Sequence, residues 1–368
     1  MRLRNGGCGR CDVLIGVMSR EFNYALPVDQ TEWTVGGGNS ATFRWDYDDG
    51  NDQLLALYEK GKAQQWNASE RIDWSQDLDP ENPVMLDDQV IPIFGSDIWN
   101  RMNAAERTNL RRHNQAWRLS QFLHGEQGAL VCSAKIVQLV PDIQAKSFAA
   151  TQAIDEARHV EAYSRLLREK FDLAYPITPP LKALLDSVVS DSRWDMTYLG
   201  MQVLIEGLAL AAFQLFRDDA HNPLVAAVNA YVMQDEARHV AFGRLALKEY
   251  YPHLGAAERR EREDFVIEAS HLLYDRFLSE ELWEAVGLPR QECVAFVNTS
   301  PSMNAFRGQL FSRIVPTIRD IGLLGPRVMK TFAGMGVLVF AQADLSATLA
   351  NDERIAAGHD LIRASNQN

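Results

Sequence analysis

One hexapeptide occurs twice in this 368-residue chain and limits its fold more than any other feature. Asp155-Glu156-Ala157-Arg158-His159-Val160 returns eighty residues later as Asp235-Glu236-Ala237-Arg238-His239-Val240. Residues three apart share a helical face, so Glu156 with His159, and Glu236 with His239, each offer a carboxylate and an imidazole to one cation. Thirty residues before each copy stands a lone Glu in an apolar helical stretch, Glu126 within 122–140 and Glu206 within 199–213. Four helices therefore supply Glu, Glu-x-x-His, Glu and Glu-x-x-His. By that ligand set a four-helix bundle holds two metal ions in its core.

Helical periodicity puts each of these groups on a core-facing stripe. Glu126 shares its stripe with Phe122, Ala129, Ser133 and Val137; Glu156 and His159 share theirs with Gln152, Tyr163 and Leu167. Glu206 lies with Leu199, Gln202, Leu210 and Phe213, and Glu236 and His239 lie with Val232, Gly243 and Leu247. An unpaired charge in a core is costly, so such a group is neutralised or binds a cation. Four carboxylates balance two divalent cations, and oxygen and imidazole donors without thiolate suit iron or manganese. Asp155 and Asp235 are spaced to accept the second ring N–H of a His across the bundle, which would fix its tautomer, and Arg158 and Arg238 to pair with those Asp residues.

The rest of the chain reads as all-α. Residues 51–66 form a helix, and 67–98 a proline-broken connector anchored by Trp74, Phe94 and Trp99. Residues 104–253 are almost wholly helical, broken at Pro141, Pro176–Pro180 and Pro223, and 256–286, 302–323 and 326–350 are further helices. The expected organisation is an irregular N-terminal extension with one helix over 1–98, the bundle over 99–253, and flanking helices over 254–368 packed on it. Gly36-Gly37-Gly38-Asn39-Ser40-Ala41 fits a dinucleotide fingerprint only formally, because no apolar helix follows it. Cys8-x-x-Cys11 has no second Cys pair and reads as part of a leader.

Net charge of -12 argues against nucleic acid and against an anionic membrane face. The apolar run over 332–343 is shorter than the roughly 20 residues of a membrane span. Four Cys in this length suit a reducing compartment, and a cytoplasmic protein is expected. Gly334 and Gly336 in the apolar 332–340 stretch suit close packing on a second copy, compatible with a homodimer.

The doubled D-E-x-R-H with its two upstream Glu residues resembles the ferritin-like diiron-carboxylate oxygenase superfamily. Within it, the pattern is similar to hydroxylase subunits of bacterial multicomponent monooxygenases and to the benzoyl-CoA epoxidase type, over about residues 100–250. The resemblance implies two Fe ions, or a Mn/Fe pair, with Glu126 and His159 on one, Glu206 and His239 on the other, and Glu156 and Glu236 bridging. It implies activation of O2 and hydroxylation, epoxidation or desaturation of a small, largely apolar or aromatic substrate. No flavin, nicotinamide or iron–sulfur motif is visible, so electrons would come from a separate reductase or ferredoxin. Ala129, Ser133, Leu210, Phe213 and Gly243 are the expected pocket lining.

Two positions depart from related patterns. Methane- and toluene-type enzymes carry Thr where this chain has Leu210. Arylamine N-oxygenases are similar but add a His where this chain has Val232, which weakens N-oxygenation and leaves it as an alternative. A tyrosyl-radical generator using Tyr163 and an iron-binding ferroxidase are the remaining alternatives. For Tyr163 the expected role is core packing, with its hydroxyl on a metal-bound carboxylate.

Overall fold

The fold is that of a computed structural model in which residues 23–27, 41 and 52–366 are described. The Cys8–Cys11 pair and the 36–38 glycines lie outside the described residues. Among the described residues there is no strand, only an isolated bridge between Tyr24 and Ala174.

Four long helices form the centre: Ala104–Leu139, Ile143–Arg165, Trp194–Asp219 and Pro223–Tyr250. Three of the four starts have a local chemical cause. Asn103 and Glu106 exchange side-chain and backbone hydrogen bonds in a capping box. Asp142, directly after helix-breaking Pro141, accepts from the Ala145 N–H at 2.8 Å. Asn222 accepts from the N–H groups of Leu224 and Val225, with Pro223 in the first turn. Three-residue connections at 140–142 and 220–222 make the first and second helices, and the third and fourth, antiparallel neighbours. The two hairpins are joined by a long crossover that contains the Pro179–Ser190 helix.

The third helix departs from the simple stripe. Leu199–Ile205 is a π-helical segment that ends at Glu206, and Leu166–Phe171 is a second one. A wider turn shifts the register of every side chain that follows it. Every residue from 195 to 208 is buried, so this helix has no polar face. Pro179–Ser190, Ala256–Asp275 and Ile314–Asp320 surround it outside the bundle. It is long and apolar enough to cross a membrane by length and composition, yet 83% of its most apolar window is buried inside the fold.

The C-terminal region is more broken than its periodicity suggests. The expected 256–286 helix stops at Asp275, and Ser279 has φ 55° before Glu280–Ala285 begins. The expected 302–323 helix divides into Pro301–Gln309 and Ile314–Asp320, because Pro316 is tolerated only in a first turn. The expected 326–350 helix ends at Gly334, and Gly336 turns the chain at φ 73° before Leu345–Asn366 starts. Phe94, expected as an anchor, is 39% exposed, whereas Trp99 is buried. The last helix packs on the fourth bundle helix, and its Asp352 pairs at 2.9 Å with Arg217 of the third and at 2.7 Å with Arg313.

Candidate metal centre

Glu126, Glu156, His159, Glu206, Glu236 and His239, drawn from all four bundle helices, are each at most 5% exposed. They fall into two overlapping groups, Glu126–Glu156–His159–Glu236 and Glu156–Glu206–Glu236–His239, with ligand atoms within 4.8 Å of one another in each. Glu156 and Glu236 belong to both. Glu156 turns Oε2 toward His159 Nδ1 at 3.3 Å and Oε1 toward His239 Nδ1 at 3.1 Å. Glu236 does the same, with Oε1 3.0 Å from His159 and Oε2 3.4 Å from His239. Glu126 Oε2 lies 3.2 Å from His159 Nδ1.

The donor atoms are poorly satisfied by protein alone. Glu156 Oε2, Glu206 Oε2, both Glu236 oxygens and His239 Nδ1 are buried without a hydrogen-bond partner. Buried polar groups almost always find one, so convergent orphans of this kind fit a pair of cations. The donor set of oxygen and imidazole fits iron or manganese.

Behind the donors the two repeats cross over. His159 Nε2 is 3.1 Å from Asp235, and His239 Nε2 is 3.1 Å from Asp155. Each repeat's Asp thus orients the other repeat's His and leaves Nδ1 facing the centre. Arg158 pairs with Asp155 and, at 3.0 Å, with Asp235, while Arg238 pairs with Asp235 at 2.5 Å and Asp155 at 3.3 Å. The segment after the Asp52–Ala63 helix closes this network. Gln64 accepts from Arg238 at 2.7 Å, Gln65 donates to Asp155 at 2.7 Å, and the Trp66 indole N–H donates to Asp235 at 2.8 Å.

Several participants escaped the sequence reasoning. Gln152 donates to Glu156 at 3.1 Å and Glu206 at 3.0 Å, and Gln202 donates to Gln152 at 2.8 Å. Both glutamines stand four residues before a Glu, a spacing that puts them on the same helical face. Gln64, Gln65 and Trp66 carried no signal, because only tertiary contact brings them in.

Two details need correction. Tyr163 is fully buried, but its hydroxyl donates to Asn229 Oδ1 at 3.0 Å and not to a carboxylate. Burial, and next the charge of Glu126, raise its pKa well above the ordinary phenol value. Gly243 leaves no open room, since a Cβ there would lie 2.8 Å from Gln202 Cβ and 2.9 Å from its Oε1. Gly243→Ala is accordingly expected to displace the Gln202 amide and to cost about 1–3 kcal/mol in denaturant unfolding. Unchanged stability would remove that role.

Ala129, Ser133, Leu210 and Phe213 are buried, but the cavities beside the bundle have other linings. One of about 140 Å³ is bounded by Leu86, Val90, Arg118, Leu215, Phe216 and Phe306. It shares Arg118, Leu215, Phe216 and Phe306 with a narrower pocket that adds Trp117, Phe122 and Arg276. Phe122 meets Phe213 at 4.7 Å and Phe216 at 5.3 Å between ring centroids. Residues before Glu126 thus face residues after Glu206, so these helices run oppositely, and residues beyond both Glu positions cannot enclose one space.

Protonation follows from the crowding. Burial first, and then the charge of Glu236, push the pKa values of Glu126 and Glu206 well above the carboxylate range. Burial works against charge on the two imidazoles but is overcome, for His159 by Asp235 and its facing glutamates, for His239 chiefly by Glu236 and Glu156. Both therefore hold protons to higher pH than usual. For Glu156 burial is likewise outweighed, by His239 first, and its pKa falls. A cation must displace the protons on Glu126, Glu206 and the histidines, so metal affinity is expected to rise with pH. Calorimetric titration in buffers of different ionisation enthalpy checks this; a heat independent of buffer would refute it.

The geometry can be set beside known proteins. No individually curated protein matches the chain by sequence. Among solved structures, a mutant R2-like ligand-binding oxidase with an anaerobically reconstituted Mn/Fe cofactor is 18% identical, with a TM-score of 0.44, over 73% of this chain and 93% of that one. The family description P-aminobenzoate N-oxygenase AurF matches residues 48–322, which include all four bundle helices and the Trp66 segment. By that match the chain belongs to the p-aminobenzoate N-oxygenase AurF family and is a diiron oxidoreductase.

Proposed function

We propose that Glu126 and His159 hold one iron, Glu206 and His239 the other, with Glu156 and Glu236 bridging, and that the centre oxygenates a small aromatic acid. The observation that carries the substrate class is a pair of buried arginines, Arg118 shared by both pockets and Arg276 in the narrower one. Arg118 is 7% and Arg276 8% exposed, and neither pairs with a carboxylate among the described residues. Burial lowers both pKa values to about 10, with Glu281 partly offsetting this at Arg276. Both Nε atoms have no hydrogen-bond partner, and Arg118 spends one Nη2 hydrogen bond on the Val90 carbonyl at 2.9 Å. Aromatic walls with two guanidinium groups that no carboxylate pairs among the described residues suit an aryl carboxylate.

When bound, the metal pair supplies the reduction of O2 and the delivery of one oxygen atom. The chain's residues do the rest. Arg118 and Arg276 anchor the acid group, and Phe122, Phe213 and Phe216 keep water from the substrate end. Asp155 and Asp235 hold the imidazoles with Nδ1 inward, and Gln152, itself held by Gln202, fixes the Glu156 and Glu206 carboxylates. Electrons come from a separate reductase or ferredoxin.

The family's printed activity makes an aryl amine nitrogen the first candidate for the oxidised atom. Val232, fully buried and apolar where arylamine N-oxygenases carry His, favours carbon oxygenation as the second reading. Iron-loaded protein, a chemical reductant and ¹⁸O-labelled O2 would be tested with p-aminobenzoate and with benzoate-type acids lacking the amine. A labelled nitroso or nitro product supports N-oxygenation, and a labelled hydroxyl on carbon supports the second reading. Absence of label in any product would sink both.

A further inference from the structure

The cavity of about 140 Å³ beside the bundle carries charge of both signs on one wall. Arg118, from the first bundle helix, and Asp219, from the third, are its only charged lining residues. They are not joined to each other. Among the described residues Arg118 makes no ion pair, and Asp219 makes neither an ion pair nor a hydrogen bond. Opposite charges facing one mostly apolar space attract strongly. A gap kept open between them leaves room for a ligand that answers both.

Asp219 stands where a carboxylate is costly. It is the last residue of the Trp194–Asp219 helix, at the end where the carbonyl dipoles are negative. Its neighbour Asp218 is answered by Arg217 at 2.7 Å. Burial, and next the charge of Asp218, raise the Asp219 pKa above the ordinary carboxylate value, with His221 opposing them. The wall itself is tied down. The turn after Asp219 donates from the His221 N–H to the Met85 carbonyl at 3.4 Å and from the Asn222 N–H to the Val84 carbonyl at 3.3 Å, beside the lining residue Leu86.

We infer that this cavity receives an aromatic α-amino acid, its carboxylate on Arg118 and its ammonium on Asp219, an inference that rests on the acid-binding role of Arg118 proposed above. An α-amino acid carries both charges on one carbon. A plain aryl acid would bring its carboxylate near Asp219 with nothing to offset the repulsion. The head group occupies the wider cavity, and the ring extends into the narrower pocket, where Phe122 stands one helical turn before Glu126. Asp219 thereby determines specificity without touching the metal centre.

The test is calorimetric titration of the iron-loaded full chain, without O2, with 4-amino-L-phenylalanine and with 3-(4-aminophenyl)propanoate, which lacks only the α-ammonium. The amino acid is expected to bind the parent protein about tenfold more tightly, the size of one charge-assisted hydrogen bond. That preference should vanish in Asp219→Asn, and Arg118→Leu should weaken both ligands. Asp219 is exposed, so the Asn variant is expected to unfold at the parent's temperature. Equal affinity of the two ligands for the parent protein, or an undiminished preference in Asp219→Asn, would overturn the inference. The arms also separate the two failures. Binding of neither ligand, or binding of both to Arg118→Leu as tightly as to the parent, defeats the acid site and the inference with it. Binding of both through Arg118 without preference defeats only the role of Asp219.

Discussion

Replacing Glu236 by Ala is expected to strip both metal ions while leaving the fold intact. Glu236 belongs to both donor groups and faces both His159 and His239, so its loss opens two coordination spheres at once. Loss of any one terminal residue, such as Glu206, should release mainly the ion it holds. Stability without metal should not suffer. The charge of Glu236 is the second-largest cause, after burial, of the raised pKa values of Glu126 and Glu206, so the crowding that its removal relieves there offsets the counter-charge lost from His159 and His239. Metal analysis after anaerobic iron loading, paired with denaturant unfolding, measures both effects. Two tightly bound ions per chain in Glu236→Ala would refute the bridging role, and collapse of the fold would refute the account of the charge balance.

The second large effect has opposite signs in stability and binding. Arg118→Leu removes a buried guanidinium that no carboxylate answers among the described residues, so unfolding stability is expected to rise by about 1–2 kcal/mol. Affinity for an aryl acid should fall about a hundredfold, equivalent to about 3 kcal/mol, because a charge-assisted contact is lost. An ordinary packing arginine would show loss on both counts, since its guanidinium lies over the Phe306 ring, 4.9 Å from the centroid. Thermal unfolding and ligand titration with a benzoate-type acid give the two readings, and unchanged affinity would move the acid-binding site elsewhere.

The helical fold and the six central residues were legible because their constraints are local. Glu-x-x-His sets two groups on one helical face, the caps Asn103, Asp142 and Asn222 mark starts, and Pro141 and Pro223 mark breaks. The family match also shows a limit of motif comparison. Val232 pointed away from N-oxygenases, yet the chain belongs to their family, so one residue in a ligand pattern does not define membership.

Other features depended on chain geometry that no periodic pattern carries. The π-helical Leu199–Ile205 segment altered the register before Glu206, and the opposed directions of the first and third helices separated the expected pocket residues from the cavity. The space beside Gly243 was filled by Gln202 from another helix.

By itself the sequence determined an all-α chain with two carboxylate–imidazole repeats, because helical spacing is a short-range property. Only the tertiary structure decided which partners each group meets. Asp155 could have served its own repeat's histidine, but crossing helices placed it on His239. Trp66, ninety-three residues before His159, reached the centre because the Asp52–Ala63 helix packs across the second and fourth bundle helices.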